Sequence, residues 1–214
     1  MKNMKRIALV VAITLLLGCA IGGTLAWLTD STQTVTNTFT TSDVEISLTE
    51  TDSADDDTNA NENAYKMVPG NVIAKDPKVT VEAISEACWL FVKVDESANV
   101  DSYLDYSVIT GTGAWQPLTG EDNVYYMQVA DSDVAQSFDV IYYDVNSDGN
   151  YQTGEENKVH VKTTVDKAMM ETAKTSVPTI TFKAFAVQQA NIVDDNNNGT
   201  AVDEAWATIP ANVK

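Results

Sequence analysis

Arginine is nearly missing from this chain. Arg6 is the sole example, and 13 lysines and arginines together face 31 acids, for a formal charge of −18. A chain this acidic repels phosphate backbones and anionic lipid, which argues against nucleic acid as a partner and against electrostatic docking on a membrane. Histidine occurs once, at His160. A catalytic zinc commonly takes several His ligands, and serine or cysteine hydrolases need a His base, so neither arrangement has the residues it requires. His-Glu-x-x-His, Gly-x-Ser-x-Gly and phosphate-loop patterns are absent as well, and no catalytic residue is assigned. Of the two cysteines, Cys19 lies in an apolar N-terminal run and Cys88 far from it, so stapling by a disulfide is not expected. No period of 20 to 50 residues recurs, which excludes solenoids and propellers.

Only one long apolar run is present, residues 7–21, and it follows Lys2, Lys5 and Arg6. A membrane-spanning helix needs roughly 20 apolar residues. This shorter run behind a cationic start is the pattern of a secretory signal. Small residues at Thr24 and Ala26 suit a peptidase that cuts after Ala26 and leaves Trp27 as the new terminus. The expected domains are therefore a cleaved signal, 1–26, and one domain, 27–214, secreted with no permanent membrane anchor. The exported part has 10 Lys against 31 acids, a formal charge of −21. A competing reading takes Leu16-Leu17-Gly18-Cys19 as a lipid-attachment signal, but the chain stays apolar beyond Cys19 where a tether would turn polar.

Alternation of apolar and polar residues dominates the remainder. Val44, Ile46 and Leu48 share one parity within 35–50, which predicts a half-buried strand. An acidic stretch, 50–63, carries Asp52, Asp55, Asp56, Asp57 and Glu62 with little to bury, and reads as a flexible loop. Turns at Pro69-Gly70 and Asp76-Pro77 precede a strand at 79–83. Residues 88–92 are apolar on both parities, as in a central strand covered on two faces, and Cys88 reads as a small buried hydrophobe. Shorter strands are expected at 106–110, 114–118 and 124–130. Residues 138–143 and 158–164 are expected to pair around a polar insert, 144–157, with a final strand at 179–189. Helical text is confined to 164–175, capped by Thr164 or Asp166. The fold class that follows is all-β, an antiparallel two-sheet sandwich with one short helix behind the signal helix. On its strand, His160 alternates with Val159 and Val161 and is expected to face solvent.

The sharpest local motif is Asp144-Val145-Asn146-Ser147-Asp148-Gly149-Asn150-Tyr151-Gln152-Thr153-Gly154-Glu155. It matches the calcium-loop pattern D-x-[DN]-x-[DN]-G-x5-E. Asp144, Asn146 and Asp148 would offer side-chain oxygens, Asn150 its backbone carbonyl and Glu155 the closing carboxylate, while Gly149 permits the bend. Calcium is the one cofactor this suggests. The same residues also make an ordinary hairpin tip, since Asn, Asp and Gly favour turns and strands flank the motif where helices would be usual. Residues 194–199 repeat only the first half of the pattern; the twelfth position is Ala205, and a polar loop is expected there.

Gly22-Gly23-Thr24-Leu25-Ala26-Trp27-Leu28-Thr29-Asp30, then Asn37-Thr38-Phe39 and Val44-Glu45-Ile46-Ser47-Leu48, resembles the TasA and camelysin family of exported Gram-positive proteins. That family carries a Gly-Gly-Thr-x-Ala-x-aromatic-x-Asp junction read by the dedicated signal peptidase SipW. Leu28 departs from its usual Phe. Residues 65–70, 75–77, 85–95 and 179–189, with Ala205-Trp206, are also similar to longer members. The resemblance implies a jelly-roll sandwich. It further implies a structural subunit of extracellular matrix or surface fibres, partnered by copies of itself and other matrix or surface proteins, with signal peptidase met during export. Its camelysin branch implies a secreted or surface metallopeptidase as an alternative, and the calcium motif leaves a calcium-dependent adhesin as a third. The uncharged, β-prone tract 35–40 is the expected assembly strand, lent to a neighbour, with Val35 and Phe39 filling pockets and Asn37 fixing register. Pairing within its own sandwich is the competing fate of that strand.

Overall fold

The computed structural model describes residues 43–51, 63–195 and 200–214. They belong to one compact unit, Ser42–Lys214. Expectations for Thr24, Ala26 and Trp27, for Val35, Asn37 and Phe39, and for the acidic residues 52–62 lie outside the described residues.

The unit is mostly strand, with antiparallel sheets and three short helices among the described residues. A four-stranded sheet has the order β12–β4–β8–β7, formed by β12 (Ile180–Gln188), β4 (Cys88–Glu96), β8 (Val124–Val129) and β7 (Gln116–Pro117). A three-stranded sheet, β1–β3–β9, joins β1 (Ile46–Thr49), β3 (Lys78–Val81) and β9 (Gln136–Asp139). A second three-stranded sheet, β2–β11–β5, comprises β2 (Val72–Ala74), β11 (Lys158–Val161) and β5 (Leu104–Asp105). Two short strands, β6 (Ser107–Val108) and β10 (Ile141–Tyr142), pair with each other.

Strand β4 is central because it is apolar on both faces. Its even residues, Cys88, Leu90, Val92 and Val94, join Val79 and Val81 of β3 and Met127 and Val129 of β8 in the largest core cluster. Val44, Ile46 and Leu48 pack against the same cluster, as their parity predicts. Each fully buried Val or Leu contributes roughly 1.5–3 kcal/mol by leaving water. On its other face Phe91 meets Trp206 and Ile209, with Trp89, Phe185 and Val187 at the margin. The pairing of β12 with β4 runs unbroken from Ile180 opposite Glu96 to Gln188 opposite Cys88. Trp115 is also core, 1% exposed, and donates from Nε1 to the carbonyl of Asp139 at 2.9 Å.

Two expectations need correction. Residues 138–143 and 158–164 do not form a ladder with each other: β9 pairs with β3, β10 with β6, and β11 with β2 and β5, leaving a lone bridge between Tyr142 and Glu156. The contact between the two limbs stops at that bridge, at the base of the insert, and beyond it β11 takes β2 and β5 as its neighbours, with Val159 and Val161 buried. The helix count is also higher than one. Helix α1 (Val100–Tyr103) and α3 (Val202–Thr208) accompany the expected α2 (Lys167–Ala173), whose N-cap Asp166 accepts from the Met169 amide at 2.8 Å. Helix α3 carries Val202, Ala205 and Trp206, followed by Ile209, all buried. That i, i+3, i+4, i+7 spacing lays one apolar stripe over the second face of β4, the cover that its double-faced apolar run called for.

Candidate functional site

The calcium-like motif forms the long hairpin between β10 and β11. Its base is closed by the Tyr143 amide donating to the Glu155 carbonyl at 3.1 Å and the Asn157 amide donating to the Ile141 carbonyl at 2.9 Å. Inside it the side chains bond their own backbone. Asp144 accepts from the Gly149 amide at 2.7 Å and from the Asp148 amide at 3.3 Å. Asn146 Oδ1 also accepts from the Asp148 amide, at 3.0 Å. Asp148 accepts from the Asn150 amide at 2.8 Å and from Gln152 Nε2 at 2.7 Å. These bonds, the Asn150 amide first, hold the Asp148 carboxyl below its ordinary range. Gly149 has φ of +79°, the left-handed bend that the sixth position demands.

Glu155 behaves differently from its loop neighbours. Asn146, Asp148 and Asn150 are exposed and Asp144 half-buried, but Glu155 is only 7% exposed. Its Oε1 accepts from the Val145 amide at 3.2 Å and its Oε2 from the Gln152 amide at 3.0 Å, so the twelfth residue ties both limbs of the loop together. Close by, burial first and then the Asp144 carboxylate push the Tyr142 hydroxyl up.

The donor set fits a hard cation: oxygen throughout, three carboxylates, and a glycine at the turn. Convergence is another matter. Among the described residues no three His, Cys, Asp or Glu side chains gather closely enough to hold a metal. Each carboxylate oxygen keeps a second lone pair after accepting an amide, so the observed bonds orient Asp144, Asp148 and Glu155 without using them up. In the partial repeat, Asp195 donates its amide to Glu204 at 3.0 Å, and Ala205 at the twelfth position is fully buried on α3 and has no side-chain oxygen to offer.

His160 does not face open solvent as its parity suggested. Its ring stacks on Tyr143 at 4.6 Å between centroids, and Nδ1 lies 3.4 Å from Asp105 Oδ2, leaving the side chain 14% exposed. The outward face of β11 is covered because the hairpin base brings Tyr143 over it. Cys88, fully buried in the core, has its thiol pushed up to about 11 by that burial, so it is neither thiolate nor nucleophile near neutral pH. The buried pair of Lys75 and Glu50 went unnoticed in the sequence, where Lys75-Asp76-Pro77 signals only a turn and Glu50 lies 25 residues away.

Compared with known proteins, the chain matches no family model, no curated protein and no solved structure at a significant level.

Proposed function

We propose that this chain is an exported structural subunit of an extracellular matrix or surface fibre, a two-sheet sandwich of the jelly-roll kind that works without catalysis. In this reading the signal is cut after Ala26. The segment bearing Val35, Asn37 and Phe39 then adds as a strand to another copy, and partners are further copies and other matrix or surface proteins. One observation carries it: β12, nine residues long, is hydrogen-bonded to β4 on one side only among the described strands. An edge of that length offers a row of backbone donors and acceptors to an incoming strand. The export signal and the resemblance at residues 22–30 supply the extracellular setting. Electron microscopy of protein beginning at Trp27, beside protein beginning at Ser42, tests the proposal. Fibres from the first and folded, fibre-free protein from the second support it; fibres from both, or from neither, overturn it.

Calcium belongs to the same proposal through Glu155, a carboxylate that the fold buries at the closing position of the loop. Asp144, Asn146, Asp148 and Glu155 would hold the ion by side chains and Asn150 by its carbonyl, and the ion would stiffen the hairpin. At 100 times its dissociation constant a bound ion adds about 2.7 kcal/mol. Calorimetry with calcium on the parent and on Asp148→Ala with Glu155→Gln decides it: heat and a raised melting temperature in the parent alone support the site, and none in either leaves a plain hairpin tip.

A further inference from the structure

Helix α3 covers only part of the second face of β4. Its Trp206 lies against Phe91 and Phe185, with ring centroids 5.2 and 5.6 Å away. Farther along the same face Trp89 and Tyr126 are only half-buried, packed edge to face at 6.1 Å. The ladder fixes their neighbours. Gln116 of β7 stands opposite Tyr126 of β8, and Gln128 of β8 stands opposite Trp89 of β4, so these four side chains share one face. From β7 to β4 they span two strand spacings, about 9.5 Å. β7 gives β8 no ladder partner past Tyr126, because Trp115 turns into the core and the chain departs through Gly113 at φ of +77°. A cavity of about 440 Å3 opens there, lined by all four side chains and, from the neighbouring sheet, by Gln136.

The chemistry of this lining is narrow. None of its twelve residues is charged, on a chain of formal charge −18. Its three carboxamides are each held by the nitrogen: Gln128 Nε2 donates to Gln189 Oε1 at 2.9 Å, Gln136 Nε2 to the Ala130 carbonyl at 3.0 Å, and Gln116 Nε2 to the Gly111 carbonyl. Gln189 is fixed in turn, its own Nε2 donating to the Cys88 carbonyl at 2.9 Å. Held this way, each of the three keeps Oε1 as an acceptor, while the Trp89 indole and the Tyr126 hydroxyl add donors. Such a lining suits a ligand rich in hydroxyls and C–H groups and free of charge. Hydroxyls donate to the Oε1 atoms, and C–H groups rest on the negative faces of the rings. An apolar ligand would strand the carboxamides, and an ionic one would find no counter-charge. An extended peptide adding to β8 would meet the main chain of Gln128 and then the Ala130 carbonyl already engaged by Gln136, which stops the ladder almost as it starts.

We propose that this cavity binds a neutral oligosaccharide, with Trp89 and Tyr126 as the stacking surface and Gln116, Gln128 and Gln136 as acceptors for its hydroxyls. Strand pairing and the anchored carboxamides set these groups in place before the sugar arrives, which lessens the entropy lost on binding. The site holds whether or not the chain builds fibres.

NMR of the full chain, titrated with neutral hexamers of glucose, mannose, galactose and N-acetylglucosamine, tests it. At least one hexamer is expected to shift the indole signal of Trp89 and the carboxamide signals of Gln116 and Gln128, equally in low and high salt because no charge takes part. Gln116→Ala combined with Gln128→Ala removes two acceptors from the surface and is expected to weaken binding about tenfold or more, with the melting temperature close to the parent's. Tyr126→Phe keeps the ring packed and is expected to weaken binding about threefold. Hexagalacturonate, similar in shape but carrying carboxylates, is expected not to bind. Silence from all four neutral hexamers, undiminished binding by the folded double variant, equal binding of hexagalacturonate, or binding of an extended Thr-Val peptide in place of the sugars each overturns the proposal.

Discussion

Strand β4 and the loop at 144–155 are held by opposite means. In β4, side chains turn away from the backbone into two apolar clusters, and the backbone is satisfied by β12 and β8 on either side. Within the loop, Asp144, Asn146 and Asp148 turn back onto the amides of their own turn, and only Glu155 among the five candidate ligands is buried. The first arrangement draws its stability from leaving water, which neither pH nor a cation alters much. The second depends on charged acceptors whose protonation or ligation changes the contacts themselves. One chain therefore contains a region that is insensitive to its surroundings and another built to respond to them.

The strongest test of that contrast is Leu90→Ala. Leu90 is fully buried, and its truncation is expected to cost about 2–5 kcal/mol, read as a fall in the denaturant midpoint with calcium making no difference to the loss. Next, Glu155→Ala strands the amides of Val145 and Gln152 and is expected to cost about 1–3 kcal/mol, with the loop's amides exchanging faster while those of β4 keep their protection. If it matched Leu90→Ala, the loop would have to be counted as core. Gly149→Ala follows: at φ of +79°, with nothing within 4 Å of the added methyl, the cost is backbone strain alone. About 1–2 kcal/mol is expected for an L-residue held left-handed, measured by thermal melting.

The smallest effect concerns acid. Burial pushes the Asp95 carboxyl up, but hydrogen bonds and charge from Lys183 and Lys93 outweigh it and hold the group below its ordinary value. A carboxyl depressed in the folded state adds stability above its unfolded value, and that stability is lost as pH falls through the folded one. Melting temperature followed downward from about pH 5 is expected to fall slightly less steeply in Asp95→Asn than in the parent, the difference appearing below about pH 4. The carboxylate is 42% exposed and screened by solvent, so a large change would show that this surface pair carries more of the β12 edge than its setting allows.

Strands were legible where side chains alone decide burial. The alternation in 179–189 gave β12 nearly to the residue, the double-faced apolar run of 88–92 gave the start of β4 but not its continuation to Glu96, and Asp166 gave the cap of α2. Partner choice was not legible, because β11 offers the same valines to β10 as to β2 and β5, and the winner is set by what lies across the core. Helix α3 was legible in principle from Val202, Ala205, Trp206 and Ile209, but its seven residues follow a run of Asn and Asp that reads as loop. For the candidate site, the motif named the residues and their order, while the inward turn of Glu155 depends on the Val145 and Gln152 amides that only the closed hairpin brings near. Lys75 and Glu50 meet through folding of distant segments, and no spacing rule connects them.

The two faces of β4 also differ in what they emit. Trp115 lies in the larger cluster, edge-on to Phe138, whereas Trp206 lies beyond the opposite face, 5.2 Å from Phe91 and with the Lys214 ammonium 4.4 Å from its ring. An indole in apolar surroundings and one beside a cation report distinct colours and quenching, so the protein carries an optical gauge on each side of its central strand. With Trp27 and Trp89 replaced by phenylalanine, replacing either of these indoles as well leaves the other to be read alone, and the order in which the two signals change on heating records which side of β4 opens first.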